Sequence, residues 1–217
     1  MNIFYPFTVY AAMQARNSEP LPFRGNWEQW QYEYYLGSAR MTGYLTEWVV
    51  LENHRGYETF NTGDGGPFTS ERFFTELARW FGVKGVVPPS DDDFNMKTVE
   101  KGCGGKKSLL GYGPPMLAKF SFSFQDWAKD EMNAAAWRDT LKESGGKIIC
   151  DPFDDFESLS MLKWAYHRLG SVCLNKARRH GWTGFVDIIE SIFEMYQDMS
   201  EDGALPLMQV DSARPLC

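Results

Sequence analysis

The sequence predicts an α+β domain, predominantly helical with a few short strands. Three observations lead there. Apolar residues recur at helical spacing in several segments, strand-like runs are few and short, and glycine and proline punctuate the chain between them. With 217 residues, 43% apolar and 16% aromatic, the composition suits one domain over 1–217 with a large core. Eight Trp, ten Tyr and sixteen Phe leave aromatics over to line an apolar pocket.

Residues 1–16 read as a helix that is apolar almost all round, which implies burial on several sides. Pro20 and Pro22 break the chain, with a short strand over Leu21–Arg24. A second helix follows from Gly37 to about Asn53, where Met41, Tyr44, Leu45, Trp48, Val49 and Leu51 recur at helical spacing. Tyr57–Asn61 reads as a buried strand that needs partners for its edges. The next helix, Ser70–Phe81, carries Phe73, Phe74, Leu77, Trp80 and Phe81 on its inner side, capped by Thr69 or Ser70. From Gly85 the chain turns glycine- and proline-rich, and 86–124 reads as a loop-rich insertion or lid. Helices are expected at Phe124–Glu143, Asp155–Leu169 and Val172–Arg179. Gly181–Phe185 makes a turn, Asp187–Met199 a last helix, and 203–217 an irregular tail.

Composition also excludes classes of function. A net charge of −7 argues against nucleic acid as a partner, and Lys106-Lys107 and Arg178-Arg179 are too short for basic patches. Cys103, Cys150, Cys173 and Cys217 are far apart, with no CxxC and no His at zinc spacing. They read as free thiols of a reducing compartment, which points to the cytoplasm and to no metal. Asp91–Asp93 are consecutive acids of the solvated kind. No apolar run is long enough for a membrane span. The opening MNIFYPFTVYAAM lacks a positive start and reads as a buried helix, not a signal peptide.

The stretch YETFNTGDGGPFTSERFFTEL (57–77) has the outline of a dinucleotide site, a strand entering a glycine turn before a helix. The fingerprint G-x-G-x-x-G fails at its third glycine, where Phe68 stands, and Asp64 puts a negative charge where a phosphate would sit. A plain strand-to-helix turn is the better reading. No Gly-x-Ser-x-Gly elbow is present, and the Cys and His residues form no evident nucleophilic pair.

Five segments in order resemble the carboxyl-terminal half of extended short-chain dehydrogenase/reductases, and within them the progesterone 5β-reductase/iridoid synthase-like group. MNIFYPFTVYAAM is similar to that group's helix ending in VYAA, and LPFRGNWEQW to its LPFRFPG…AW. ETFNTGDGGPF resembles AFN-x-x-NGD-x-F, and ELARWFGV resembles LAEQFG. LNKARRHGWTGFVDIIESIFEMYQDM resembles the MNKS…HGF-x-GF stretch and last helix. The likeness covers most of the chain apart from roughly 86–124. It implies a truncated, reductase-like substrate domain: G-x-x-G-x-x-G and Tyr-x-x-x-Lys, which belong to that family's other half, do not occur in these 217 residues. No cofactor is therefore expected.

In that family this half helps enclose a hydrophobic enone. The resemblance places pocket aromatics at Trp182 and Phe185, with Ile188, Ile192 and Met195 inward from the last helix and Met1, Tyr5 and Val9 from the first. Tyr5 stands where the family tends to have a small residue. Tyr5, Tyr34 and His167 are the candidate hydrogen-bond donors, with Trp164 beside His167 on one helix. Each also has a plain alternative. An Ile188/Ile192/Met195 stripe is the pattern of a core face, a tyrosine hydroxyl can be bonded to backbone, and a lone histidine is more often satisfied than catalytic.

Retained substrate half and absent cofactor half together lead to an expected cofactor-independent cyclase or isomerase. Its substrate would be a hydrophobic, terpenoid- or polyketide-like small molecule, and a [4+2] cyclase is its sharpest form. The alternatives are a non-catalytic binding or regulatory module, and a reductase subunit that borrows its nucleotide half from another chain. Exposed apolar surface left by a missing half leads to an expected homodimer.

Overall fold

The computed structural model describes residues 3–52, 56–90, 96–101, 116–121, 124–154 and 172–213. It has the expected α+β character, dominated by helices, with strands only in pairs. Helix α1 (Tyr5–Arg16) is the central element: Pro6 through Gln14 are buried without interruption. A helix buried on all sides must satisfy its polar side chains internally. The Thr8 hydroxyl donates to Tyr5 O at 2.8 Å, and the Gln14 amide donates to Pro20 O at 2.6 Å.

The remaining elements are β1 (Leu21–Pro22), α2 (Trp27–Gln31), β2 (Glu33–Tyr34), α3 (Ala39–Leu51), β3 (Phe68–Thr69), α4 (Ser70–Phe81), β4 (Val86–Val87), β5 (Lys97–Lys101), β6 (Met116–Phe120), α5 (Phe124–Ala128), α6 (Glu131–Glu143), α7 (Asn175–Arg179) and α8 (Ile188–Glu201). Helix α4 packs on α1 through edge-on rings, Phe7 meeting Phe73 at 5.3 Å and Phe74 at 5.6 Å. The far end of α4 meets α8, where Trp80 lies 5.2 Å from Phe193. The fully buried Tyr196 ties α8 to the entrance of α1 by donating to Phe4 O at 2.8 Å. On the other flank of α1, Phe124 and Trp127 of α5 pack edge-on against Tyr10 at 5.2 and 5.5 Å.

Helix boundaries follow local chemistry. Of the two candidate caps for α4, Thr69 is the one used: its hydroxyl accepts from Arg72 N, and Gly82 ends the helix at φ +67°. Helix α2, which periodicity misses, rests on a reciprocal capping box between Asn26 and Gln29. The single helix expected over Phe124–Glu143 is two, because the Asp130 carboxylate accepts from Met132 N and starts a new helix in mid-run. The Val172–Arg179 helix shortens to α7. The helix expected at Asp155–Leu169 lies outside the described residues, as do Asp91–Asp93, Cys103 and Cys217.

One further expectation is corrected. Tyr57–Asn61 forms no strand. Its carbonyls and side chains are taken up elsewhere: Lys176 Nζ donates to Thr59 O at 2.9 Å, and Asn61 Nδ2 donates to Cys173 O at 3.1 Å. The pairing falls instead on Phe68–Thr69, antiparallel to Glu33–Tyr34. Within 86–124 the described residues include three short strands. β4 pairs parallel with β1, and β5 and β6 form an antiparallel ladder from Lys97↔Phe120 to Lys101↔Met116. The tail is irregular over 203–213 yet pinned, with Gln209 N donating to Trp80 O at 2.7 Å and Arg79 to Ser212 O at 3.1 Å. Among the described residues no helix is long and apolar enough to cross a membrane.

Candidate functional site

Helices α3 and α8 form the two walls of a cleft of about 510 Å³, within the range of small-molecule sites. The α8 wall begins with Asp187, whose carboxylate accepts from Ile189 N at 3.1 Å and is ion-paired with Arg72 of α4. That cap fixes the phase of the helix. Spacings of three and four then carry Ile188, Ser191, Ile192, Met195 and Asp198 down one side, toward the cleft.

The α3 wall, residues Leu36 to Arg40, is set by a buried carboxylate. Asp64 is fully buried and accepts from Ser38 N at 2.8 and 3.0 Å and from the Ser38 hydroxyl at 2.8 Å. The same hydroxyl accepts from Met41 N at 3.1 Å, so the carboxylate orients the cap of α3. Asp64 also joins three segments through its backbone, donating to Leu36 O and accepting from Val186 N, both at 3.0 Å. Burial pushes its carboxyl above the ordinary aspartate range, and the Ser38 hydrogen bonds pull the other way.

This geometry gives the glycine turn a structural purpose. Gly65 sits at φ +98°, and a Cβ there would come within 2.8 Å of the Phe185 ring, which also lies over Gly66. The chain's own carboxylate occupies the N-terminus of α3, where an anion would otherwise bind.

Arg40 of α3 and Glu194 of α8 bridge the walls at 2.5 Å, both about half exposed. Such a pair contributes roughly 0–1 kcal/mol and restricts the mouth more than it stabilises the fold. Ile3 and Phe4, ahead of α1, complete the lining.

Of the residues singled out from sequence, Ile188, Ile192 and Met195 come together here. Ile188 and Ile192 are also part of the core, while Met195 is half-buried. The others lie elsewhere. Val9 is fully buried inside α1. The Tyr5 hydroxyl lies 3.6 Å from Cys150 Sγ and donates to Ala204 O at 3.4 Å, and burial raises its phenol well above the ordinary value. Tyr34 is buried, its hydroxyl donating to Gln29 O at 3.4 Å. Burial raises this phenol too, against a hydrogen bond with the Ser70 hydroxyl. Trp182 packs on Trp48 at 5.4 Å, in an aromatic group with Phe60 and His180. Phe185 is largely exposed above the glycine turn. Met1, Trp164 and His167 lie outside the described residues.

Sequence reading passed over Ser38, Arg40, Ser191 and Glu194. Each is an ordinary surface-type residue in the sequence, and only the approach of α3 to α8 gives it a place. Asp64, which in the sequence argues against a bound phosphate, has its partner in Ser38. Among the described residues no cluster of three His, Cys, Asp or Glu side chains is disposed to hold a metal ion.

Chemically, the cleft offers apolar walls that strip water from a ligand, hydroxyls at Ser38 and Ser191, and charges confined to Arg40, Glu194 and Asp198. The Ser38 hydroxyl is committed to Asp64 and Met41.

Two known proteins are similar to nearly the whole chain. One is the short chain dehydrogenase gsfE of Penicillium aethiopicum, 24% identical over 208 residues that make up 95% of this chain and 50% of that protein. The other is (S)-8-oxocitronellyl enol synthase CYC2 of Camptotheca acuminata, 22% identical over 210 residues, 95% of this chain and 45% of that protein. The chain thus spans about half the length of each of these relatives. No protein-family model matches it. The similarity makes the chain short-chain-dehydrogenase-like, with enzymes as its relatives.

Proposed function

We propose that the α3–α8 cleft binds a hydrophobic small molecule of secondary metabolism and promotes its cyclisation or isomerisation without a nicotinamide, an intramolecular [4+2] addition being the sharpest form. The observation that carries this is the lining: Ile188, Ile192 and Met195 face Leu36 across a space large enough for a terpenoid- or polyketide-sized ligand. Such a site works by shape. Holding a flexible chain near its reactive conformation lowers the barrier by on the order of several kcal/mol. Excluding water strengthens any hydrogen bond made to a carbonyl whose charge grows in the transition state. One relative is named as an enol synthase.

A second reading has its own observation. The chain matches only half of each relative, and one of these is named a dehydrogenase. In that reading the cleft is the substrate wall of a reductase, and hydride arrives from a nucleotide-binding unit elsewhere.

Incubating the chain with an apolar substrate that carries a diene and an activated alkene, with and without NADPH, separates the two. Product above the buffer rate without NADPH, falling at least 10-fold in Met195→Trp, is expected. Product only with NADPH supports the reductase reading, and tight binding with no acceleration reduces the protein to a carrier.

A further inference from the structure

We propose that Ser191 is the polar anchor of the cleft, its hydroxyl hydrogen-bonding the one polar group of a neutral, otherwise apolar ligand. The inference rests on the cleft being a small-molecule site and names how that site recognises its ligand.

Helical hydroxyls in this protein normally satisfy themselves on their own helix. Thr8, Thr42, Thr46, Thr75, Thr140 and Ser200 each donate to a carbonyl three or four residues back, at 2.7–3.0 Å. Ser191 departs from this pattern. Its Oγ is buried with no hydrogen-bond partner, although the residue lines the cleft between Ile188 and Met195 on an otherwise apolar stripe. An unpaired buried hydroxyl is destabilising, and a hydrophobic residue there would pack without that cost. Ser191 lines the cleft and its hydroxyl turns on a single side-chain torsion, so a ligand group held there would satisfy it.

The surroundings define that group. A hydroxyl both donates and accepts, so it pairs with a carbonyl or another hydroxyl. At the mouth, Glu194 and Asp198 outnumber Arg40, which Glu194 already engages. A ligand carboxylate would meet net repulsion there, and an ammonium would be desolvated against the apolar Ile188–Ile192–Met195 stripe, which leaves a neutral ligand as the best fit.

The test uses two ten-carbon probes, citral with its aldehyde and myrcene without oxygen, each displacing the neutral dye Nile red. The expected result is citral binding about 3- to 10-fold tighter than myrcene in the wild type. Ser191→Ala abolishes that difference by weakening citral alone, and Ser191→Thr, which keeps the hydroxyl, restores it. A difference that survives in Ser191→Ala overturns the anchor while leaving the cleft as the site. Absence of displacement, or displacement unaltered in Met195→Trp, refutes the cleft as the site and the anchor with it.

Discussion

Asp64→Ala is expected to lower the stability of the fold by about 3 kcal/mol, the order found when a buried hydrogen-bonded carboxylate is removed. The truncation leaves Ser38 N without its acceptor and frees the hydroxyl that caps α3. For a domain of this size that corresponds to a fall in melting temperature of roughly 6–12 °C. Asp64→Asn is expected to cost less than half as much, because an amide oxygen still accepts from Ser38 N. The pH dependence separates the two causes. A carboxyl whose folded pKa is raised binds more protons in the native state, so its contribution falls as pH rises from the ordinary aspartate value through the folded one. Asp64→Asn lacks that decline, which therefore appears in its difference from wild type. Thermal unfolding of the three proteins between pH 3.5 and 7 measures both effects. Equal melting temperatures for wild type and Asp64→Ala would remove the strut from the account of the cleft.

The second large effect lies at the alkaline end. Tyr5, Tyr10, Tyr34 and Tyr196 all have phenols raised by burial, with Arg24 opposing the rise at Tyr10. Unfolded tyrosines ionise near pH 10, while these four hold their protons in the fold. The native state then binds more protons, and stability falls with rising pH, by about 1.4 kcal/mol per pH unit for each tyrosine. These four phenols thus leave stability untouched below about pH 10 and lower it above. Tyrosinate absorbance and far-ultraviolet circular dichroism are expected to change together in that window. Tyr196→Phe, which removes the bond to Phe4 O, is expected to flatten the slope by one proton. All ten tyrosines ionising near pH 10 with the helices intact would contradict the burial.

These effects also show what the sequence makes legible. Helices α1, α3, α4 and α8 are readable because their apolar spacing and their boundaries agree: Pro6 lies at the start of α1, Ser38 and Thr69 cap, and Gly82 terminates. Of the strands only Leu21–Pro22 is readable, inside the short strand expected at Leu21–Arg24, because each pair is short and its register depends on residues far away. Tyr57–Asn61 has β-type composition, yet the Lys176 side chain of α7 and the Cys173 carbonyl before it take its polar groups. Leu21–Pro22 forms a strand only because Val86–Val87 arrives beside it. The site divides in the same way. The stripe of Ile188, Ile192 and Met195 is visible in the sequence, since one helix carries it. The opposing wall is not, because it depends on Asp64 reaching Ser38 across 26 positions.

The most direct measurement is a titration of protein labelled with ¹³C at the methionine methyl groups, using citral as ligand and following each methyl resonance. The account predicts that Met195, at the cleft, shifts progressively with added ligand, while Met132, exposed on α6, stays fixed. A shift at Met132 with Met195 unmoved, or no shift at either, would contradict the assignment of the α3–α8 cleft as the small-molecule site.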